Sequence, residues 1–297
     1  MIRRLKSSVR RKITNLFRSA IGPEIRRLEP SGASTRILQH QLFHWYRHLA
    51  KTGGPLPSIF DTGYRVFSQC DEDGLLLYIF GVIRMKNRTF VDIGAGDGVA
   101  NSNCANLALN FGWHGLFIDT NKVLINRGRQ FYERHSDTFL YPPLFVYAKV
   151  NRENINHLIE QAGFKGEIDL LSIDIDGNDY WIWDALECIT PRVVIIETHV
   201  EFGYNNIVVP YDPDYEYPER HPDYHGASPV AMVNLARRKG YRLVGANRFG
   251  YNTIYVRNDE GKELLPEISV KDVLQHPRNA ERMKLFEAIK GWQYVEG

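Results

Sequence analysis

The sequence predicts an α/β fold: a seven-stranded, mostly parallel sheet with helices on both faces and a C-terminal antiparallel hairpin. Three stretches carry that expectation. Val91 to Ala100, VDIGAGDGVA, runs from a buried strand through a glycine-dense bend into a helix, with Asp92 near the strand's carboxyl end. Ile168 to Gly177, IDLLSIDIDG, is a near-continuous apolar run flanked by carboxylates, as a parallel strand buried on both faces reads. Tyr241 to Ala246 and Asn252 to Arg257 read as two further strands joined by Asn247 to Tyr251.

With 297 residues, 43% of them hydrophobic and 24% charged, the chain can bury one substantial core with accessory segments, and no repeat interrupts it. No apolar run approaches the roughly 20 residues of a membrane span, and the N-terminus lacks a secretory apolar stretch, so a cytoplasmic location is expected. Cys70, Cys104 and Cys188 are scattered, which suits reduced, buried thiols and neither a disulfide framework nor a zinc site. The net charge of +2 conceals an asymmetry: residues 1–28 hold nine Lys or Arg against the single acid Glu24, so the remaining body is net acidic. Within that tail Ile2, Leu5, Val9, Ile13, Leu16, Phe17, Ile25 and Leu28 recur largely at helical spacing. Such a basic amphipathic helix either lies on an anionic membrane surface, peripheral to its inner face, or docks a partner protein, or covers the main domain. Nucleic acid is disfavoured, because an acidic body repels phosphate.

Residues 29–65 form a helical accessory segment. Its cluster His40, Phe43, His44, Trp45, Tyr46 and His48 reads as packing and surface, and Gly53, Gly54, Pro55 and Pro57 break the helix. Residues 66–257 form the main domain. Ser68 to Phe80 begins polar and becomes an apolar helix, with Asp71, Glu72 and Asp73 in the first turn, where acids complement the helix dipole. In the glycine bend, Gly94, Gly96 and Gly98 let the backbone turn sharply and approach a ligand; Val99 stands where a dinucleotide fingerprint wants a third glycine or alanine. Asn101 to Asn110 reads as the next helix, stopped at Gly112. Gly115 to Asp119 is the second strand, with a carboxylate at its tip suited to ribose hydroxyls. Leu144 to Val150 is a third strand and Asn151 to Ala162 a helix. After the fourth strand, Asn178 and Asp179 read as caps of a helix carrying Trp181, Trp183 and Leu186. Val193 to His199 is the fifth strand, ending in Glu197 and His199. Residues 200–228 form an insertion rich in Pro, Tyr and acids, too long for a minimal connection. It reads either as a solvated loop or as a lid over the strand edge, with Tyr211, Tyr215, Tyr217 and Tyr224 placed to stack on a ring and His221 or His225 near an acceptor. Ser228-Pro229 opens a helix that closes at Lys239-Gly240, and residues 258–297 form a helical C-terminal extension.

Four motifs together resemble one family. The Asp-x-Gly-x-Gly-x-Gly bend at Asp92, the segment Ser68-Gln69-Cys70-Asp71-Glu72-Asp73-Gly74, and the pair Gly112-Trp113-His114-Gly115-Leu116-Phe117-Ile118-Asp119 and IDIDGNDYW are similar to the FkbM-type class I S-adenosylmethionine (SAM)-dependent methyltransferases. The resemblance implies a Rossmann-like domain whose bend, with Asp92, Gly94, Gly96 and Gly98, holds the amino-acid end of SAM. It implies ribose on Asp119, cofactor contacts from Gln69, Glu72 and Asp73, and adenine against Ala148 to Asn151. It further implies O-methylation, often of sugar or secondary-metabolite hydroxyls.

The chemistry rests on two strand ends. Asp174 and Asp176 lie two residues apart on one side of an extended chain, at the edge where open α/β sheets bind ligands, and Glu197 and His199 end the neighbouring strand. Calcium-loop spacing fails, since Asp179 and Ala185 stand where Gly and Glu would be required. Either Asp174 and Glu197, with Asp176 or His199, hold Mg²⁺ or Mn²⁺ and lower an acceptor hydroxyl's pKa, or His199 serves as general base beside a carboxylate. The placement of Asp174 and Glu197 resembles that in metal-dependent catechol and sugar O-methyltransferases, although Thr198 stands where an amide ligand is common.

Overall fold

The apolar runs become strands of a single sheet in the computed structural model of the chain, which describes residues 32–218 and 220–297. The basic segment 1–28 lies outside the described residues. The chain divides into the units 1–44 and 45–297. Helix α1 (Gly32–Thr52) starts in the first. It stops where Gly53 turns left-handed and the Thr52 hydroxyl donates to the His48 carbonyl.

Everything that follows belongs to the second unit. Strands β1 (Thr89–Ile93), β2 (His114–Asp119), β3 (Leu144–Tyr147), β4 (Gly166–Ile173) and β5 (Ile189–Glu197) run parallel. Strands β6 (Tyr241–Ala246) and β7 (Asn252–Arg257) form the antiparallel hairpin, and the order across the sheet is β3-β2-β1-β4-β5-β7-β6. This is the expected doubly wound architecture with its C-terminal hairpin. The strand order reverses between β1 and β4, and the crevice above such a reversal is where ligands bind in open α/β sheets.

Helix α2 (Glu72–Ile83) is buried on every side, which its unbroken apolar sequence requires. Helices α3 (Ala105–Phe111), α4 (Lys122–Arg134), α5 (Ile155–Gln161), α6 (Asp179–Ala185) and α7 (Pro229–Arg238) follow the strands. On one face Ile155, Ile159, Trp183, Met232 and Leu235 pack with Val91, Leu116, Leu171 and Val194 of the sheet.

Several helices start later than the sequence suggests, because polar side chains satisfy the backbone first. Ser102 Oγ accepts from the Cys104 and Ala105 amides, so α3 begins at Ala105 and not at Asn101. Asn151 and Asn154 exchange amide-to-side-chain bonds and delay α5 to Ile155. Asp179 does not cap α6; its carboxylate accepts from the Ile175 and Gly177 amides, folding the chain after β4 into a turn, so that strand ends at Ile173. Of the three cysteines only Cys104 is buried, Cys70 and Cys188 being half-buried, and all three are free. Residues 258–297 contain only short helices, α8 (Val270–Leu274), α9 (Pro277–Met283) and a 3₁₀ turn at Lys284–Ala288. Val295 near the end of this stretch pairs with Val208, which also pairs with Ala227. No helix among the described residues is long and apolar enough to cross a membrane.

At the sheet end away from the ligand edge, Arg192 is buried and saturated. It donates to Asp169 and Glu260 at 2.7 Å each and to the carbonyls of Ile83 and Arg84. Asp169 also accepts from the Lys86 and Arg88 amides, so this network ties α2, β1, β4 and β5 together. Removing one partner of a buried pair strands the other charge. Arg192→Met is therefore expected to cost about 3–5 kcal/mol in urea unfolding, against under about 1 kcal/mol for Lys165→Ala at the exposed pair with Glu160. Similar costs for both variants would refute the structural role given to Arg192.

Candidate active site

Above the reversal of the sheet lies a cavity of about 600 Å³. Its floor is Ile93, Gly94, Asp174 and Ile175; one wall is Ile118, Asp119 and Thr120, another Tyr147 to Val150, and the roof is Tyr215, Glu216 and Tyr217. Gly94 is indispensable to the floor. It sits at φ +86°, and a Cβ there would drive into the carbonyl of Asp174.

The expected cofactor residues divide into two groups. Gly94, Asp119 and Asp174 line the cavity, as do Ala148 to Val150. Asp119 also braces the bend, accepting from the Gly96 amide at 2.7 Å and from the Asn121 amide at 2.6 Å. Asp92, Gly96 and Gly98 shape the bend without lining the cavity. Asp92 is buried and accepts from Ser102 Oγ; burial pushes its carboxyl up to about 6, partly offset by hydrogen bonds from Ser172, Ser102 and Cys104.

The segment before α2 corrects the sequence reading. Asp73 accepts from the amides of Val66, Phe67 and Ser68 at 2.7 to 2.8 Å, and Glu72 accepts from the Cys70 amide and the side chains of Asn247 and Asn252. These acids hold protein backbone and neighbouring loops, and neither lines the cavity. Gln69 is exposed and also outside the lining.

The strand-end residues do come together. One carboxylate oxygen each from Asp174, Asp176 and Glu197 lies within 4.8 Å of the others, and so does one donor atom each from Glu197, His199 and His225. Burial, with Glu197, Asp179 and Asp176 around it, holds the Asp174 carboxyl well above the usual range. Burial and Glu197 raise Asp176 as well. Asp179 is pushed up to about 7 by burial and Glu197, against the amides of Ile175 and Gly177. Such crowding is what a bound cation relieves, so these residues fit the expected hard divalent ion.

His199 lies between two carboxylates, Nε2 3.7 Å from Glu197 and Nδ1 3.7 Å from Glu201. Burial alone would strip its proton, but the two acids outweigh it and hold the imidazole up to about 10. Burial likewise opposes Glu201, yet His199 and Arg282 bring it down to about 2. The two acids therefore favour the protonated imidazole, the form opposite to the one a general base beside a carboxylate needs. Burial and the neighbouring His199 lower His225 to about 4 and leave it neutral. Gly226, at φ +69°, makes room for the His199 ring, since a Cβ there would collide with Cδ2.

The lid tyrosines part company. Tyr215 and Tyr217 roof the cavity beside His225, their ring centroids 6.2 and 5.1 Å from the imidazole. Tyr211, expected with them, turns to the outer surface, where its hydroxyl bonds Glu153 and the Arg152 amide and its ring packs near Trp181. Sequence reasoning missed Glu201 and Arg282, whose pairing joins positions far apart in the chain and leaves no local pattern.

No protein-family model matches the sequence, and no curated protein matches it. Among solved structures the chain is similar to the magnesium protoporphyrin IX methyltransferase of Synechocystis PCC 6803 with bound SAM, at 12% identity over 82% of this chain and 95% of that one, with a TM-score of 0.39. It is also similar to a SAM-dependent methyltransferase of Clostridium acetobutylicum, at 10% identity, coverage of 73% and 96%, and a TM-score of 0.39. An O-methyltransferase family protein of Burkholderia thailandensis gives 12% identity, coverage of 75% and 71%, and a TM-score of 0.36.

The buried carboxyl of Asp92 gives a pH test. Its folded pKa of about 6 exceeds the ordinary 3.8, so between about pH 4 and 6 the folded state keeps a proton that the unfolded chain has lost. Asp92 thus lowers stability as pH rises through that window. Asp92→Asn is expected to stabilise by up to about 3 kcal/mol at about pH 7.5 and little at about pH 3.5, followed by thermal unfolding. Equal effects at both would show that Asp92 does not titrate there.

Proposed function

We propose that this chain is a SAM-dependent methyltransferase of the FkbM type that methylates a sugar hydroxyl in a polysaccharide, glycolipid or glycosylated metabolite. The observation that carries this reading is the cavity at the strand reversal, floored by a side-chain-free bend at Gly94 and edged by carboxylates and two tyrosines. A bend of bare backbone accepts the amino-acid end of the donor, Asp119 the ribose, and residues 148–150 the adenine. Asp174 and Asp176, which line the cavity, suit a sulfonium, whose positive charge offsets their crowding.

Transfer forms a bond from the acceptor oxygen to the methyl carbon and breaks the carbon–sulfur bond, releasing the thioether S-adenosylhomocysteine. The hydroxyl proton goes to Asp176, which is exposed to the cavity and whose raised pKa makes it the stronger base. Tyr215 and Tyr217 supply aromatic faces for a sugar ring. The basic segment 1–28 would hold the enzyme at an anionic membrane surface, near membrane-borne glycan assembly.

S-adenosylhomocysteine release from a panel of nucleotide sugars and glycans is the direct test. Asp119→Ala should weaken SAM binding in calorimetry at least about tenfold, whereas Glu197→Ala should retain SAM and lose about a hundredfold in turnover. SAM binding with no product across sugars, amines and phenols would overturn the enzymatic reading in favour of a SAM-binding scaffold. Deleting residues 1–28 should reduce liposome association and spare turnover of soluble acceptors; unchanged association would remove the membrane role.

A further inference from the structure

Three buried polar atoms beside the end of β5 make no hydrogen bond among the described residues: Glu197 Oε2, His199 Nε2 and His225 Nδ1, the first two facing each other as an ion pair at 3.7 Å. Both imidazoles are almost wholly buried. Leaving such atoms without a hydrogen bond is costly, and one donor atom from each of the three residues lies within 4.8 Å of the others, the spacing of ligands around a shared cation. The remote side of each ring is already engaged. His225 Nε2 lies 3.0 Å from the Pro222 carbonyl, which fixes the proton on Nε2 and leaves the Nδ1 lone pair inward. His199 Nδ1 faces Glu201, and Glu201 is gripped by Arg282 at 2.7 Å. A histidine whose outer nitrogen meets a carbonyl or carboxylate has the arrangement of a metal ligand with its supporting shell, the ion displacing a proton from the inner nitrogen of His199, which faces Glu197. The two ring centroids are 3.9 Å apart and nearly perpendicular, a proximity that the glycine at 226 permits.

We propose that Glu197, His199 and His225 bind a divalent transition-metal ion, of the zinc or iron(II) kind, in preference to Mg²⁺. Two imidazoles and one carboxylate are borderline donors that suit such ions, whereas Mg²⁺ wants oxygen ligands in a strict octahedron. Three protein ligands would leave coordination positions open, and Asp174 and Asp176, which line the cavity, approach Glu197. The catalytic consequence rests on the methyl-transfer reading: an acceptor hydroxyl in an open position would be acidified, give its proton to Asp176, and take the methyl as the thioether leaves. Metal binding itself is independent of that reading.

The test uses the metal-free, full-length protein titrated with Co²⁺ and followed by visible absorption. One Co²⁺ per chain is expected, displaced by equimolar Zn²⁺ and retained against a large excess of Mg²⁺. His225→Ala should lose more than about a hundredfold in Co²⁺ affinity, and Glu201→Gln, which touches only the supporting shell, about 10- to 100-fold. Circular dichroism of each variant reports its folding. Absence of Co²⁺ binding by folded protein, or binding unaffected by His225→Ala, overturns the proposal. Ready displacement by Mg²⁺ overturns it too, in favour of an all-carboxylate site at Asp174, Asp176 and Glu197. Should Co²⁺ binding depend on His225 while SAM fails to bind, the site stands and the methyltransferase reading falls.

Discussion

The structure depends on how closely two parallel strands meet where their order reverses. The Asp174 amide donates to the Ile93 carbonyl at 2.9 Å, and the next residue on the β1 side, Gly94, lies so near the Asp174 carbonyl that only a hydrogen fits on its Cα. Gly94 and Ala95 both donate to the Ile118 carbonyl, pinning the bend to β2 as well. Three strands are thereby fastened at one point by backbone alone. The cavity floor is consequently formed in part by main chain, and Asp119, Asp174 and Asp176 stand around it.

Around that floor the fold concentrates negative charge. Asp174, Asp176, Asp179 and Glu197 share a small volume, and Asp92 lies buried just below. The fold answers this with raised carboxyl pKa values at Asp174, Asp176 and Asp179 and by placing His199 between Glu197 and Glu201. Each solution costs stability, the usual signature of groups arranged for function. The Arg192 network at the opposite end works the other way, matching one cation to two acids and two carbonyls in a region far from the cavity.

The architecture was legible because it is written in apolar runs: IDLLSI and RVVIIE state buried parallel strands almost without ambiguity, and the strand-end positions of Asp174, Glu197 and His199 followed from them. Helix starts were harder. Ser102, Asn151 and Asp179 form local side-chain bonds to backbone that postpone or replace a helical turn, and composition does not distinguish such use from an ordinary cap. Glu72 and Asp73 misled for a related reason: acids opening an apolar helix look available, yet the Asn247 and Asn252 side chains that occupy Glu72 lie more than 170 residues away. In the lid, no periodicity governs the chain, so nothing local separated Tyr211, which faces outward, from Tyr215, which faces the cavity.

The lid is fastened at both feet. Val208 pairs with Ala227 at one flank and with Val295 at the other, and the Tyr224 hydroxyl holds the Gln293 carbonyl at 2.5 Å. The short crest between these fastenings bears Tyr215 and Tyr217. Because Tyr215 and Tyr217 roof the cavity, whatever occupies its floor lies beneath that crest, and what lies deepest must enter before what lies above it.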